Sequence, residues 1–120
     1  MIRLAILSVP IVFLFGNCQK ENKDAKVIYE IRETSNDVPN YNITYTADKS
    51  GTSSTINSSS DQWTSASLVL SKGQFVSLTL DCAAPHFDFT IDIFVDGALW
   101  KETQMSNPTS STALSGNIGN

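Results

Sequence analysis

The chain has 120 residues, eight of them basic and twelve acidic, for a formal charge of −4. That length is one domain's worth, and the acidic balance argues against nucleic acid and against adhesion to anionic lipid through a basic patch. Two cysteines allow one intramolecular disulfide at most.

The first segment carries a targeting pattern. Met1-Ile2-Arg3 begins with a positive charge, Leu4 to Phe15 is apolar except at Ser8 and Pro10, and Gly16-Asn17-Cys18 follows at once. This is the n-region, h-region and cleavage zone of a secretory signal over residues 1–17, too short to span a bilayer as a stable anchor. The alternative is a buried N-terminal helix or strand, which would be the chain's only stretch of that kind. Leu14-Phe15-Gly16-Asn17-Cys18 resembles a bacterial lipobox, with its cysteine and a small residue two before it. It departs from the common pattern at Phe15, where leucine is usual, and at Asn17, where Gly, Ala or Ser is usual. The resemblance implies cleavage before Cys18 and lipid, palmitate included, on its sulfur. Gln19-Lys20-Glu21, within Gln19 to Asp24, resembles the short charged signal that sends some Bacteroidota lipoproteins to the cell surface. The plainer reading is a polar tether over residues 18–25, since any lipidated domain needs one. The expected location is therefore the outer membrane, with the surface favoured over the periplasm.

With Cys18 acylated, Cys82 has no partner and is expected to be buried as a small hydrophobe; a Cys18–Cys82 disulfide is the alternative. Loss of residues 1–17 removes only Arg3, leaving seven basic against twelve acidic residues, 7 − 12 = −5. Membrane attachment would then come from acyl chains on Cys18, with more than one needed for a stable anchor.

From residue 26 onward the alternation is that of strands. Val27, Tyr29 and Ile31 share one face of Lys26 to Glu33, with Ile28, Glu30 and Arg32 on the other. Residues 34–40 (TSNDVPN) form a loop. Tyr41, Ile43, Tyr45 and Ala47 alternate with polar residues in a second strand, and Asp48-Lys49-Ser50-Gly51 turns the chain. Thr52 to Asn57 returns as a Ser/Thr-rich edge strand. After the loop at 58–61, Trp63 to Leu70 reads as one strand, with Ala66, Leu68 and Leu70 on one side and Trp63 and Val69 on the other. Ser71-Lys72-Gly73-Gln74 turns into Phe75 to Leu80, where Val76, Leu78 and Leu80 align. Cys82-Ala83-Ala84-Pro85 bends into the most strongly patterned stretch. There Phe87, Phe89, Ile91, Ile93 and Val95 alternate with Asp88, Thr90 and Asp92, the period of a half-buried strand. Asp96-Gly97 predicts a type I′ turn, and Ala98 to Met105 completes the hairpin. Ser110 to Ile118 is a weak last strand anchored by Ala113, Leu114 and Ile118.

Seven or eight short strands, regular turns and no helical period predict an all-β fold, an antiparallel sandwich over residues 26–120. The same region resembles the extracytoplasmic domain of MmpS-type small membrane proteins and of related short Bacteroidota lipoproteins. The resemblance rests on Val27-Ile28-Tyr29-Glu30-Ile31, Asn42-Ile43-Thr44-Tyr45-Thr46, Lys72-Gly73-Gln74-Phe75-Val76-Ser77-Leu78 and Ile93-Phe94-Val95-Asp96-Gly97 with Lys101-Glu102. It implies an immunoglobulin-like β-sandwich and, in the mycobacterial members, an accessory role beside a large lipid or siderophore exporter. This chain carries a cleavable lipoprotein signal where those members carry a transmembrane helix.

Candidates for chemistry are few. Cys82 and His86, the single histidine, form a nucleophilic pair only if the fold brings them together with an orienting third group. With Asp88 they supply three metal ligands and no fourth, so no metal is expected. Asp88 and Asp92 point the same way about 13 Å apart, too far for a glycosidase pair, and read as a solvated face. Asn42-Ile43-Thr44 and Asn57-Ser58-Ser59 are glycosylation sequons that read as ordinary strand and loop sequence in a bacterial lipoprotein. Trp63, Trp100, Tyr41 and Tyr45, with Tyr29, are the candidate binding surface, provided they lie exposed together. The expectation is a non-enzymatic accessory or binding module at the membrane, without cofactor, meeting an envelope protein. The alternatives are a structural surface-coat component and, remotely, a Cys82/His86 hydrolase.

Overall fold

The computed structural model describes residues 23–34, 40–82, 88–106 and 111–119. Among them are nine strands and no helix: β1 (Asp24–Glu33), β2 (Tyr41–Thr46), β3 (Ser53–Ser58), β4 (Gln62–Thr64), β5 (Leu68–Ser71), β6 (Phe75–Asp81), β7 (Asp88–Val95), β8 (Ala98–Ser106) and β9 (Ser111–Asn117). All pairings are antiparallel, and they make two sheets. Sheet A runs β4-β1-β7-β8, with β5 on the same edge of β1 as β4; sheet B runs β3-β2-β6-β9. The fold is an all-β antiparallel sandwich.

The core lies where the alternation places it. Val27, Tyr29 and Ile31 of β1 and Phe89, Ile91 and Ile93 of β7 meet Tyr41 and Ile43 of β2 and Val76, Leu78 and Leu80 of β6. Each such aliphatic side chain contributes about 1.5–3 kcal/mol on full burial. One polar atom stitches the layers together. The Tyr29 hydroxyl crosses from sheet A to donate to the Thr46 carbonyl at 2.8 Å, and burial pushes its pKa well above the usual phenol value despite that bond. The β7–β8 connection is the expected type I′ turn, with Asp96 at φ 52° and Gly97 at φ 85°. Asp96 also closes on β1, donating its N–H to the Lys26 carbonyl at 2.8 Å and accepting the Lys26 N–H on Oδ1 at 2.9 Å.

The structure corrects several expectations. The stretch Trp63 to Leu70 is two strands, not one, which takes the count to nine. Glu30 faces Thr64 and Val27 faces Leu68. Four steps on this segment therefore match three on β1, so one residue is extra, as in a bulge. Ser65 fills the gap, donating its N–H to the Tyr29 carbonyl and accepting the Tyr29 N–H on Oγ. A slip of one residue reverses the facing. Trp63 accordingly packs on the core, Val69 on the same predicted side is 51 % exposed, and Ala66 is exposed rather than inward. β1 begins at Asp24, so Asp24 and the buried Ala25 belong to the strand and not to a tether. In β9, Ala113 is exposed and Ile118, just past it, is the buried anchor, with Leu114 partly buried. The signal segment, Cys18, Gln19, Lys20, Glu21, most of the 34–40 loop, the Ala83-Ala84-Pro85 bend, His86 and Phe87 lie outside the described residues.

Candidate functional site

The outward side chains of the two sheets have different chemistry. On sheet A they include Lys26, Glu30 and Arg32 of β1, Asp88, Thr90 and Asp92 of β7, and Glu102 and Gln104 of β8. Asp92 was expected on a solvated face, yet it is 1 % exposed. β7 is an inner strand between β1 and β8, and the long side chains of those two arch over it. Arg32 Nη2 donates to Asp92 Oδ2 at 2.7 Å and reaches Glu102 Oε2 at 3.5 Å, and Arg32 Nε lies 3.3 Å from Glu30 Oε1. Glu30 in turn accepts from Gln62 at 3.1 Å. Asp92 Oδ1 is buried with no hydrogen-bond partner. Glu102 is the residue directly opposite on β8, and only the protonated form of its carboxyl could donate to Asp92. The Glu102 pKa is raised accordingly, first by the hydrogen bond to Asp92 and then by its charge, with Arg32 opposing. Asp88, by contrast, is exposed.

On sheet B the register sets outward residues in rows across the strands. Asn57, Asn42, Asp81 and Ser111 form one row, and Thr55, Thr44, Thr79 and Ala113 the next. Two links run along these rows: Asn57 Nδ2 donates to Asn42 Oδ1 at 2.9 Å, and the Thr44 and Thr55 hydroxyls lie 3.0 Å apart. Ser53, Ser77, Ser115 and Asn117 continue the face, with Phe75, 57 % exposed, at one corner. Asp81 is its one charged residue. The result is a broad hydroxyl and amide surface on four strands.

The aromatic candidates divide. Tyr41 is core, 1 % exposed, in edge contact with Phe89 at 5.3 Å between centroids and donating its hydroxyl to the Ser60 carbonyl at 2.6 Å. It is not a surface residue, and neither is Tyr29. Tyr45 links Tyr29 and Trp63 at 5.3 and 5.4 Å, a partly buried stack between the sheets. Trp100 stands on β8, at the opposite edge of sheet A from Trp63 on β4, packed on the core with the Lys101 ammonium 5.0 Å from its ring. The two tryptophans therefore do not make one patch. Each faces inward because its strand lies at the rim, where a large ring closes the gap between layers.

Cys82 follows β6, buried, with Sγ 4.0 Å from the Asn40 carbonyl, and burial pushes its thiol pKa up, the acids Asp81 and Glu33 adding to this. A thiol activated for nucleophilic attack needs the opposite shift. Among the described residues, two clefts lie on sheet A's margins. One of about 440 Å³ is bordered by Lys26, Val69 and Asp96, and one of about 220 Å³ by Thr90, Gln104 and Ser106. No protein-family model matches the chain, and no curated protein matches it.

The sequence reading missed both faces. Asn42 and Thr44 alternating with apolar residues were the visible signal for the neutral one. The burial of Asp92 had no local signal, because it depends on strands 60 and 10 residues away.

Proposed function

We propose that the chain is a non-enzymatic, lipid-anchored envelope protein, an accessory or binding module that meets a protein partner on the outer face of sheet B. The observation that supports this is the contrast in outward chemistry. Sheet A is charged and gathers Glu30, Asp92 and Glu102 around Arg32, whereas sheet B presents hydroxyls and amides across four strands with Asp81 as the one charge. Such a face demands no counter-charge, and its groups form hydrogen bonds with a partner while giving up little ion solvation. The anchor in this reading is acyl chains on Cys18, and Gln19, Lys20 and Glu21 direct the domain outward.

A photoreactive phenylalanine analogue placed at Ala113 on sheet B, and separately at Gln104 on sheet A, tests the face in intact cells. A discrete adduct from Ala113 and not from Gln104 is the expected result. Equal yields at both positions, or none at Ala113, would overturn it. Protease shaving of cells tests the placement: the native chain is expected to be digested, and a variant with Gln19, Lys20 and Glu21 replaced by Ala to be protected.

A further inference from the structure

Sheet edges are where chains add strands to one another, and folded proteins defend them with charge, interruption or cover. Three of the four edges here are defended. The β4/β5 edge is broken at Ser65–Ser67. β8 carries Lys101 and Glu102 and a register shift opposite Ile93/Phe94. β9 lies against β8 across the sandwich, where Trp100 and Lys101 pack so close to Gly116 that a Cβ there would sit 2.5 Å from Lys101 Cε. Among the described residues, β3 has none of these. Ser53-Ser54-Thr55-Ile56-Asn57-Ser58 holds no charge, no proline and no bulge, and pairs β2 without interruption.

The direction of its free groups follows from one bond. The Ala47 N–H donates to the Thr52 carbonyl at 2.8 Å, which makes these two a hydrogen-bonded pair. Bonded pairs recur at every second residue of an antiparallel ladder. Ser54, Ile56 and Ser58 therefore turn their backbone groups toward β2, and Ser53, Thr55 and Asn57 turn theirs outward. A two-fold axis beside Thr55, perpendicular to the sheet and midway between the two β3 strands, sets Thr55 opposite Thr55 and Ser53 opposite Asn57 of the second copy. Every outward N–H then meets an outward carbonyl, and the two faces of each strand stay on their own sides. The charges flanking β3 also fit this inversion. Lys49, exposed and paired with Asp24 of its own chain at 2.7 Å, lies beyond its hairpin end, and Asp61, exposed, lies beyond the other; the axis brings each to the other's end. Asp48, also at the hairpin end, is turned into its own loop, accepting from Ser50 and Thr52.

We propose that β3 is an interaction surface for a second copy of this chain, joined edge to edge in antiparallel register about Thr55. Because both copies use the same edge, the interface closes on itself and makes a dimer, not a fibre. The area is small for a stable complex in dilute solution, so pairing is expected where chains are held at high local concentration, as on one membrane, and in this it rests on the Cys18 anchor proposed above. The dimer joins two sheet B faces into one continuous surface, but it does not depend on what that face binds.

Cysteine cross-linking in cells making the full chain reads the register. At a hydrogen-bonded pair the Cα atoms lie about 5.5 Å apart, within the roughly 4.4–6.8 Å a disulfide spans. Under mild oxidation Thr55→Cys is expected to give a reducible product of twice the chain's mass. Asn57→Cys is not, since in this register its counterpart is about 13 Å away. The double variant Ser53→Cys with Asn57→Cys is expected to cross-link again. No product from Thr55→Cys, equal product from Asn57→Cys, or a Thr55→Cys product of any other mass would overturn the proposal. An adduct from Ala113 in the face experiment is read separately, so either result stands or falls alone.

Discussion

The outer faces of the two sheets share one scaffold and solve different problems. On sheet A, the inner strand β7 places Asp92 where the neighbouring side chains bury it, so a charge must be satisfied locally, and Arg32 does this at 2.7 Å. On sheet B, the inner strands β2 and β6 carry Asn42, Thr44, Ser77 and Thr79 outward, short neutral groups that stay hydrated or bond across the strands. A buried ion pair makes its face sensitive to the loss of one partner. A neutral hydroxyl face is insensitive, because each lost bond returns to water. The first face ties its charged groups to one another, and the second leaves its neutral groups open to solvent.

Breaking the pair on sheet A should therefore have the largest effect. Arg32→Met, which keeps the aliphatic stem over β7, leaves Asp92 buried with a charge and no cation. Arg32 is itself 46 % exposed, which holds the expected loss to about 2 kcal/mol in urea unfolding, below the usual cost of splitting a fully buried pair. Tyr29→Phe comes next. It strands the Thr46 carbonyl between the sheets and is expected to cost about 1–2 kcal/mol; a loss confined to a few tenths would mean water replaces the hydroxyl.

Smaller still is the response to pH. A carboxyl whose folded pKa is raised adds stability in full below its unfolded value, near ~4.3 for Glu, and that stability is lost as pH rises through the folded value. Glu102 is such a group. Its share of stability is expected to decline as pH rises from that point through the raised folded value. Glu102→Gln, whose amide donates to Asp92 at any pH, should flatten that decline, and an unchanged pH profile in this variant would show that Glu102 carries no shared proton. Least affected should be sheet B's face. Thr44→Val is expected to change stability by less than about 0.5 kcal/mol, and a cost matching that of Arg32→Met would erase the distinction between the faces.

Local pattern made much of this fold readable. Val27/Tyr29/Ile31, Val76/Leu78/Leu80 and Phe89/Ile91/Ile93 alternate strictly, and a two-residue period leaves a side chain only one of two faces. Asp96-Gly97 specified its turn because few residue pairs tolerate positive φ in succession. The neutral edge at β3 was legible for the same reason: nothing in Thr52 to Asn57 offered enough apolar surface to bury.

What the tertiary structure alone decided lies where two distant strands meet. The reversal between Trp63 and Val69 arises from one extra residue against β1, which no periodicity within 63–70 contains. Tyr41 and Tyr45 have the same local pattern, yet one is core and the other part of an intersheet stack, because only their partners across the sandwich differ. Asp92 and Asp88 likewise look alike along β7. Arg32 from β1 and Glu102 from β8 close over the first and not the second, and burial of a side chain on a sheet is set by its neighbours' length and charge as much as by its own.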